Sequence, residues 1–352
     1  MIIDNTTSNL CFDDILLVPK HSEIESRSNI DISSKIGNPK NPSAWISMKN
    51  PFLMAPMEFI SSTSMIETFL SYGGIAFIHR FQKDEPRIKQ LQYFSKNGDC
   101  PKNLGFSLSY KDIENKDFIK RVIDSGVKIL LIDTALGHTK FSVDSLKTLR
   151  SMVSDDIHIM TGNVSSYEAY RDLMDAGSDS VRVGIGGGAA CTTRIVTGFG
   201  VPVLSSIMDI YEYIKDDPIN GLVSDGGIKQ NGDIVKALAA GASAVMMGTL
   251  FAGHEECDGK VDGKFLFRGL ASASIQIEPA GGKIPELSSF HVEGVHGYIE
   301  NKGSVHNTIN QMINNTKSGF SYCGSESLKS FQDDCKFIKV SSQSLKESNS
   351  RI

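Results

Sequence analysis

The sequence predicts an α/β fold, a TIM-type (β/α)8 barrel, on three observations. Short apolar runs recur along the chain, helical segments separate them, and eight such runs can be placed. This is the pattern of parallel strands joined by crossover helices. The strands are expected at residues 52–55, 74–78, 104–108, 128–132, 157–160, 180–183, 221–224 and 244–247. A barrel of this kind carries its functional groups on the loops after the strand C-terminal ends. In chain order, the fourth run leads into Asp133 to His138 and the fifth into Gly162-Asn163. The sixth leads into a glycine-rich loop ending at Cys191, the seventh into Asp225-Gly226-Gly227, and the eighth into Gly248-Thr249. Any one of these glycines suits a tight turn. Their collection at one end of consecutive strands points to a shared site.

Composition is compatible with this fold but does not select it. With 352 residues, 40% hydrophobic and 22% charged, the chain is long enough for one large barrel domain over 1–352. A net charge of -5 without a long basic run argues against a nucleic-acid-binding surface. The six cysteines, Cys11, Cys100, Cys191, Cys257, Cys323 and Cys335, form no Cys-x-x-Cys pair, so neither a zinc site nor a disulfide framework is suggested. Reduced thiols and a cytoplasmic location are the plain reading. The first residues lack a basic segment followed by an apolar run, and no stretch approaches the roughly 18 apolar residues of a membrane span. No membrane partner is expected.

The most informative stretch is 184–194, Gly-Ile-Gly-Gly-Gly-Ala-Ala-Cys-Thr-Thr-Arg, directly after the run 180–183. A strand running into glycines and then a cysteine places a thiol among free backbone N–H groups, a geometry that suits a nucleophile beside a phosphate. Taken alone, a cysteine is more often an inert small hydrophobe. The stretch resembles the active-site loop of the IMP dehydrogenase/GMP reductase family. Residues 10–19 (Leu-Cys-Phe-Asp-Asp-Ile-Leu-Leu-Val-Pro), Gly162-Asn163-Val164, Ser224-Asp225-Gly226-Gly227, 232–237 and Met246-Met247-Gly248 agree in the order that the family requires. The similarity runs from about residue 9 to the C-terminus.

The resemblance implies a cysteine thiolate that attacks C2 of a purine mononucleotide and a nicotinamide cofactor that exchanges hydride with that carbon. By position, Cys191 is the nucleophile. Asp225 matches the carboxylate on the ribose hydroxyls, and Gly226, Gly227 and Gly248 offer N–H groups to the 5′-phosphate. Gly188, Thr249 and Ser272 complete the implied substrate set. Asp133 matches the acidic residue near the nicotinamide ribose, although an aspartate at a strand end also suits capping of the next helix. Gly186, Gly188 and Cys191 are the implied potassium positions, and a homotetramer is the implied assembly. Ala189 stands where the family usually has a phosphate-binding serine, and Gly187 where a proline precedes it. Phosphate binding is therefore expected to lean on backbone N–H groups and on Thr249.

Between the second and third runs lie only about 25 residues, 80–103, too few for the CBS pair that family dehydrogenases usually carry there. From Gly269 the barrel pattern breaks, and Pro279, Gly281, Gly282 and Pro285 predict a long irregular loop to Tyr298. In the family this is the mobile flap, set here at 269–300. An IMP dehydrogenase activates water with an Arg-Tyr pair in this flap, and residues 269–293 contain neither. A GMP reductase needs no such base and protonates the departing amine with a threonine and a flap glutamate, matched by Thr193 and Glu293. The favoured expectation is NADPH-dependent reduction of GMP to IMP and ammonia. Phe290 stands where reductases usually have an arginine, and Asp133 to His138, Arg268-Gly269 and the tail from Phe337 look dehydrogenase-like. IMP dehydrogenase therefore remains the alternative, with a catalytically silent nucleotide-binding barrel as the third. His138, His254 and His291 are not needed by the chemistry and are expected to be structural or solvated.

Overall fold

The computed structural model describes residues 9–96, 99–268 and 296–348. Its centre is an eight-stranded sheet made of Phe52–Met54, Ala76–Ile78, Leu104–Leu108, Ile129–Ile132, His158–Val164, Ser180–Val183, Leu222–Asp225 and Ala244–Met247. Each pairs in parallel with its sequence neighbours, and the eighth pairs with the first. The first and second strands meet through a parallel bridge between Leu53 and Ile75, with Met54 N donating to Ile75 O at 2.9 Å and Ile75 N to Phe52 O at 3.1 Å. That bridge closes the barrel. All eight expected strands are present, shifted by a few residues at some ends; the fifth continues to Val164 and the seventh to Asp225, carrying polar residues into the ladder.

Alternation along each strand divides the core in two. Leu53, Phe77, Ile129, Leu131, Met160, Val223 and Met246 pack together inside the barrel, joined by Ile36, Ile46 and Met48. The last three belong to an antiparallel hairpin, Ser34–Ile36 with Ile46–Met48, that plugs one end. Ser34 Oγ donates to Ser243 O at 2.5 Å, and His158 Nδ1 lies 2.9 Å from Ala44 O, so the plug sits at the strand N-terminal end. The opposite mouth is left for the loops. Outward residues such as Phe52, Met54, Leu130, Ile132, Val181 and Val183 form the second core with the surrounding helices. One helix, Asp84–Phe94, fills the connection between the second and third strands.

The ends of the described chain meet beside the mouth. Ile15–Leu17 pairs antiparallel with Phe337–Lys339, and the buried Lys236 ammonium donates to Phe12 O at 2.7 Å. A Cβ on Gly227 would stand 3.2 Å from the Phe12 ring, so the N-terminal segment backs directly onto one glycine turn of the mouth.

The expected loop from Gly269 to Tyr298 requires one correction. His296–Glu300 is a strand, paired antiparallel with Lys264–Arg268, and Ile299 opposes the buried Phe265. Glycine and proline content had suggested irregularity through Tyr298, but a partner strand lay on the far side of the segment. Residues 269–295 lie outside the described residues. No described helix is long and apolar enough to cross a membrane.

Candidate active site

The mouth is organised by a charge inside an apolar strand. Val181 and Val183 face the outer core, so Arg182 between them faces inward. Register sets Arg182 opposite Val223, two residues before Asp225, while Asp225 itself stands opposite Met246. The Arg182 guanidinium is 2% exposed and bonds Asp133 Oδ1 at 2.7 Å through Nη2, with Nη1 lying 3.4 Å from Asp225 Oδ2. Its Nε has no described partner. One cation on the sixth strand thus serves two carboxylates, one just after the fourth strand and one at the end of the seventh.

The two carboxylates are held differently. Burial pushes the Asp133 pKa upward, but Arg182 and Arg80 outweigh it and leave the group below the ordinary aspartate value. Arg80 Nε approaches Asp133 Oδ2 at 2.9 Å. The next helix, Lys140–Met152, is capped by Thr139, so Asp133 is not its cap. Asp225 is raised, chiefly by burial, against the lowering effects of Arg182 and of the Asn163 amide at 2.9 Å. Asn163 also donates to Gly184 O at 2.8 Å and so ties the end of the sixth strand to Asp225. Gly184 has φ +148°, and a Cβ there would collide with the Asp225 carbonyl. Only glycine lets these two strands end this close together.

Cys191 Sγ–H donates to Thr193 Oγ1 at 3.2 Å, and Cys191 N donates to Gly188 O at 3.0 Å. Arg194 braces the loop: its Nη2 bonds Val201 O at 2.7 Å, and a Cβ on Gly186 or Gly200 would come within 2.6 Å of its stem. The turns of Gly187-Gly188 and Gly226-Gly227 lean on one another, since a Cβ on Gly226 would lie 3.1 Å from Gly188 N. Among the described residues, the N–H groups of Gly226, Gly227, Gly248 and Thr249 donate to no backbone carbonyl. Converging donors without acceptors form a cradle suited to an anion.

A cavity of about 240 Å³ joins these groups. Cys191, Thr193, Gly186, Gly188, Asp225, Gly226, Gly227, Gly248, Thr249 and Asp133 all line it. Ser272 and Glu293 lie outside the described residues. Sequence reasoning missed Arg80, Arg182, Met57 and Phe267, which also line the cavity, and gave Asn163 no role. The signal for Arg182 was available: a lone charge inside an otherwise apolar strand demands a partner. Of the histidines, His138 is partly exposed beside Asp172 at 3.0 Å, and His254 is buried between Phe251 O and Thr308. Both are thus structural or solvated. His291 is outside the described residues.

The residues fit the riboside end of a nicotinamide cofactor. Asp133 is held ionised with two of roughly four acceptor directions in use, and the adjoining Arg182 Nε is an unused buried donor. Asp225, with Asn163 behind it, offers a two-oxygen acceptor to a diol. Asp225→Ala is expected to weaken nucleotide binding by about 1.5–3 kcal/mol, the value of a hydrogen bond to a charged group, with little change in turnover at saturation. Titration calorimetry with GMP and IMP reads this directly.

A thiol and anion-cradling turns share the C-terminal mouth of a (β/α)8 barrel, the face on which enzymes of this fold carry their active sites. The chain belongs to the IMP dehydrogenase/GMP reductase family, whose domain model matches residues 9–351. This is a family of oxidoreductases that act on purine mononucleotides with a nicotinamide cofactor. The inosine-5′-monophosphate dehydrogenase of Borreliella burgdorferi is 31% identical over 400 residues, covering 98% of this chain and 97% of that protein. The dehydrogenase of Rhizobium tropici is 38% identical over 240 residues, 65% of this chain. The GMP reductase of Leishmania major is 38% identical over 247 residues, 67% of this chain. The matched regions span about half of the last two relatives, 48% and 50%. A crystal structure of GMP reductase from Trypanosoma brucei in complex with guanosine 5′-monophosphate shares the fold, with TM-score 0.86, 22% identity and 99% coverage of both chains.

Proposed function

We propose that the chain is a GMP reductase, converting GMP to IMP and ammonia with NADPH as the cofactor. The observation that carries the direction of the reaction is the make-up of residues 269–293, which contain neither arginine nor tyrosine to activate water. The residues gathered at the mouth support the other roles, with Glu293 assigned from the sequence. In this reading the Cys191 thiol, 3.2 Å from the Thr193 hydroxyl, gives up its proton and attacks C2 of the base. As the sulfur–carbon bond forms and the exocyclic C2–N bond breaks, Thr193 and Glu293 pass a proton to the departing amine. When bound, the reduced nicotinamide supplies hydride to C2. Cys191 then leaves as thiolate, and IMP is released. Asp225 and the glycine turns hold ribose and phosphate throughout, and Asp133 with Arg182 and Arg80 forms the wall for the cofactor.

The same reading places a potassium ion at Gly186, Gly188 and Cys191, takes 1–352 as one catalytic barrel with 269–300 as its flap, and assigns a cytoplasmic homotetramer. The second reading, IMP dehydrogenase forming XMP with NAD, is favoured by the relative similar over nearly its whole length, which bears that name. Purified protein is to be offered GMP with NADPH and, separately, IMP with NAD, following absorbance of the reduced cofactor. Sustained oxidation of NADPH by GMP supports the reductase; sustained XMP production moves the assignment to the dehydrogenase.

Glu293→Gln and Thr193→Val are each expected to slow deamination by about 10²- to 10⁴-fold, the usual worth of general acid catalysis. Hydride exchange between IMP and oxidised cofactor should fall far less, because it expels no amine. The double variant should be little worse than either single change. Equal losses in both half-reactions would mean that these residues order the site rather than transfer the proton.

A further inference from the structure

The eighth strand ends at Met247, and the turn that follows is held from behind. Phe251 N donates to Gly248 O at 2.9 Å, and Ala252 N to both Gly248 O and Thr249 O, at 3.2 and 3.3 Å. The segment after the hairpin strand His296–Glu300 clamps this turn: Lys302 N donates to Gly253 O at 2.8 Å, and Glu255 N to Gly303 O at 3.1 Å. From that clamp the Lys302 ammonium reaches Thr249 O at 3.1 Å. Two loops distant in sequence therefore bring a positive charge onto the one turn of the cradle whose lining residue, Thr249, carries a hydroxyl.

We infer that Lys302 is a positioning residue for the phosphate subsite, holding the Gly248-Thr249 turn and supplying positive charge for a bound phosphate monoester. Two observations stand beside that contact. The cradle is short of side-chain donors, since Ala189 replaces a hydroxyl residue and the Gly226 and Gly227 turns offer only N–H groups. Partial burial also pulls the Lys302 pKa below the ordinary lysine value, so a nearby anion would be a welcome counter-charge.

The inference rests on the reading that the site takes a purine mononucleotide, and its test separates the two. Dissociation constants for GMP and for guanosine are measured with wild type, Lys302→Met and Lys302→Arg. Lys302→Met is expected to weaken GMP about tenfold, in line with one charged contact, and to leave guanosine within about twofold. Lys302→Arg should recover most of the loss, and in turnover the KM for nucleotide should rise with kcat nearly unchanged. Equal weakening of GMP and guanosine, or no weakening of GMP, overturns the inference. Should wild type bind neither GMP nor guanosine, the functional reading fails, and inorganic phosphate then decides on Lys302. Phosphate that raises the unfolding temperature of wild type but not of Lys302→Met upholds its role, and equal effects on both reject it.

Discussion

Cys191→Ala is expected to abolish turnover, by at least about 10⁴-fold, because a nucleophile that works as a unit with its partners leaves little behind when removed. GMP affinity should stay within a few-fold of wild type. In the proposed function the thiol touches only the base, and the ribose and phosphate are left to Asp225 and to the turns of Gly226-Gly227 and Gly248-Thr249. The variant is to be assayed for turnover and, by calorimetry, for GMP binding. Mass spectrometry of wild type quenched with substrate should show a nucleotide adduct on the peptide carrying Cys191, absent from the variant. Turnover comparable to wild type would rule out a covalent route through this thiol.

The second large effect is expected at Arg182. Replacing it with methionine removes the cation that both Asp133 and Asp225 face, leaving buried carboxylates with less compensation. Breaking a buried pair by removing one partner costs about 3–5 kcal/mol, so the variant should unfold at distinctly lower denaturant concentration. The pH dependence carries the sign. In wild type the Asp133 pKa is lowered, so its contribution to stability is present above the unfolded aspartate value and is lost as pH falls through the folded value. Without Arg182 the balance at Asp133 shifts toward burial, and at Asp225, already raised by burial, the main lowering charge disappears. Asp225 then binds its proton still more tightly folded than unfolded, while Asp133, with Arg80 as its remaining cation, is held ionised less strongly. The variant should therefore gain stability as pH falls from neutral toward about 5, the range just above an ordinary carboxyl pKa. A Lys at position 182 restores charge without the fork that reaches two carboxylates, and is expected to recover only part of the loss. A variant as stable as wild type at neutral pH would show that the two aspartates do not depend on this guanidinium.

Much of the molecule was legible in its residues. The eight strands were readable because parallel strands buried on both faces must be apolar throughout. The mouth was readable because glycines, Asp225 and Cys191 follow those strands directly, and a TIM barrel gathers such positions at one end. Local order along the chain thus determined the fold class and, through the resemblance carried by 184–194 and the other motifs, the candidate nucleophile and the anion-binding turns. Tertiary structure alone decided how the charges are shared. Arg80 and Asp133 are 53 positions apart, Asp133 and Arg182 49, and Arg182 and Asp225 43. Whether Arg182 faces the mouth or the helices depends on strand register, where a slip of one residue would reverse it. The strand His296–Glu300 and the reach of Lys302 to Thr249 have the same origin. Each is set by a partner distant in sequence, so neither follows from the propensities of the residues themselves.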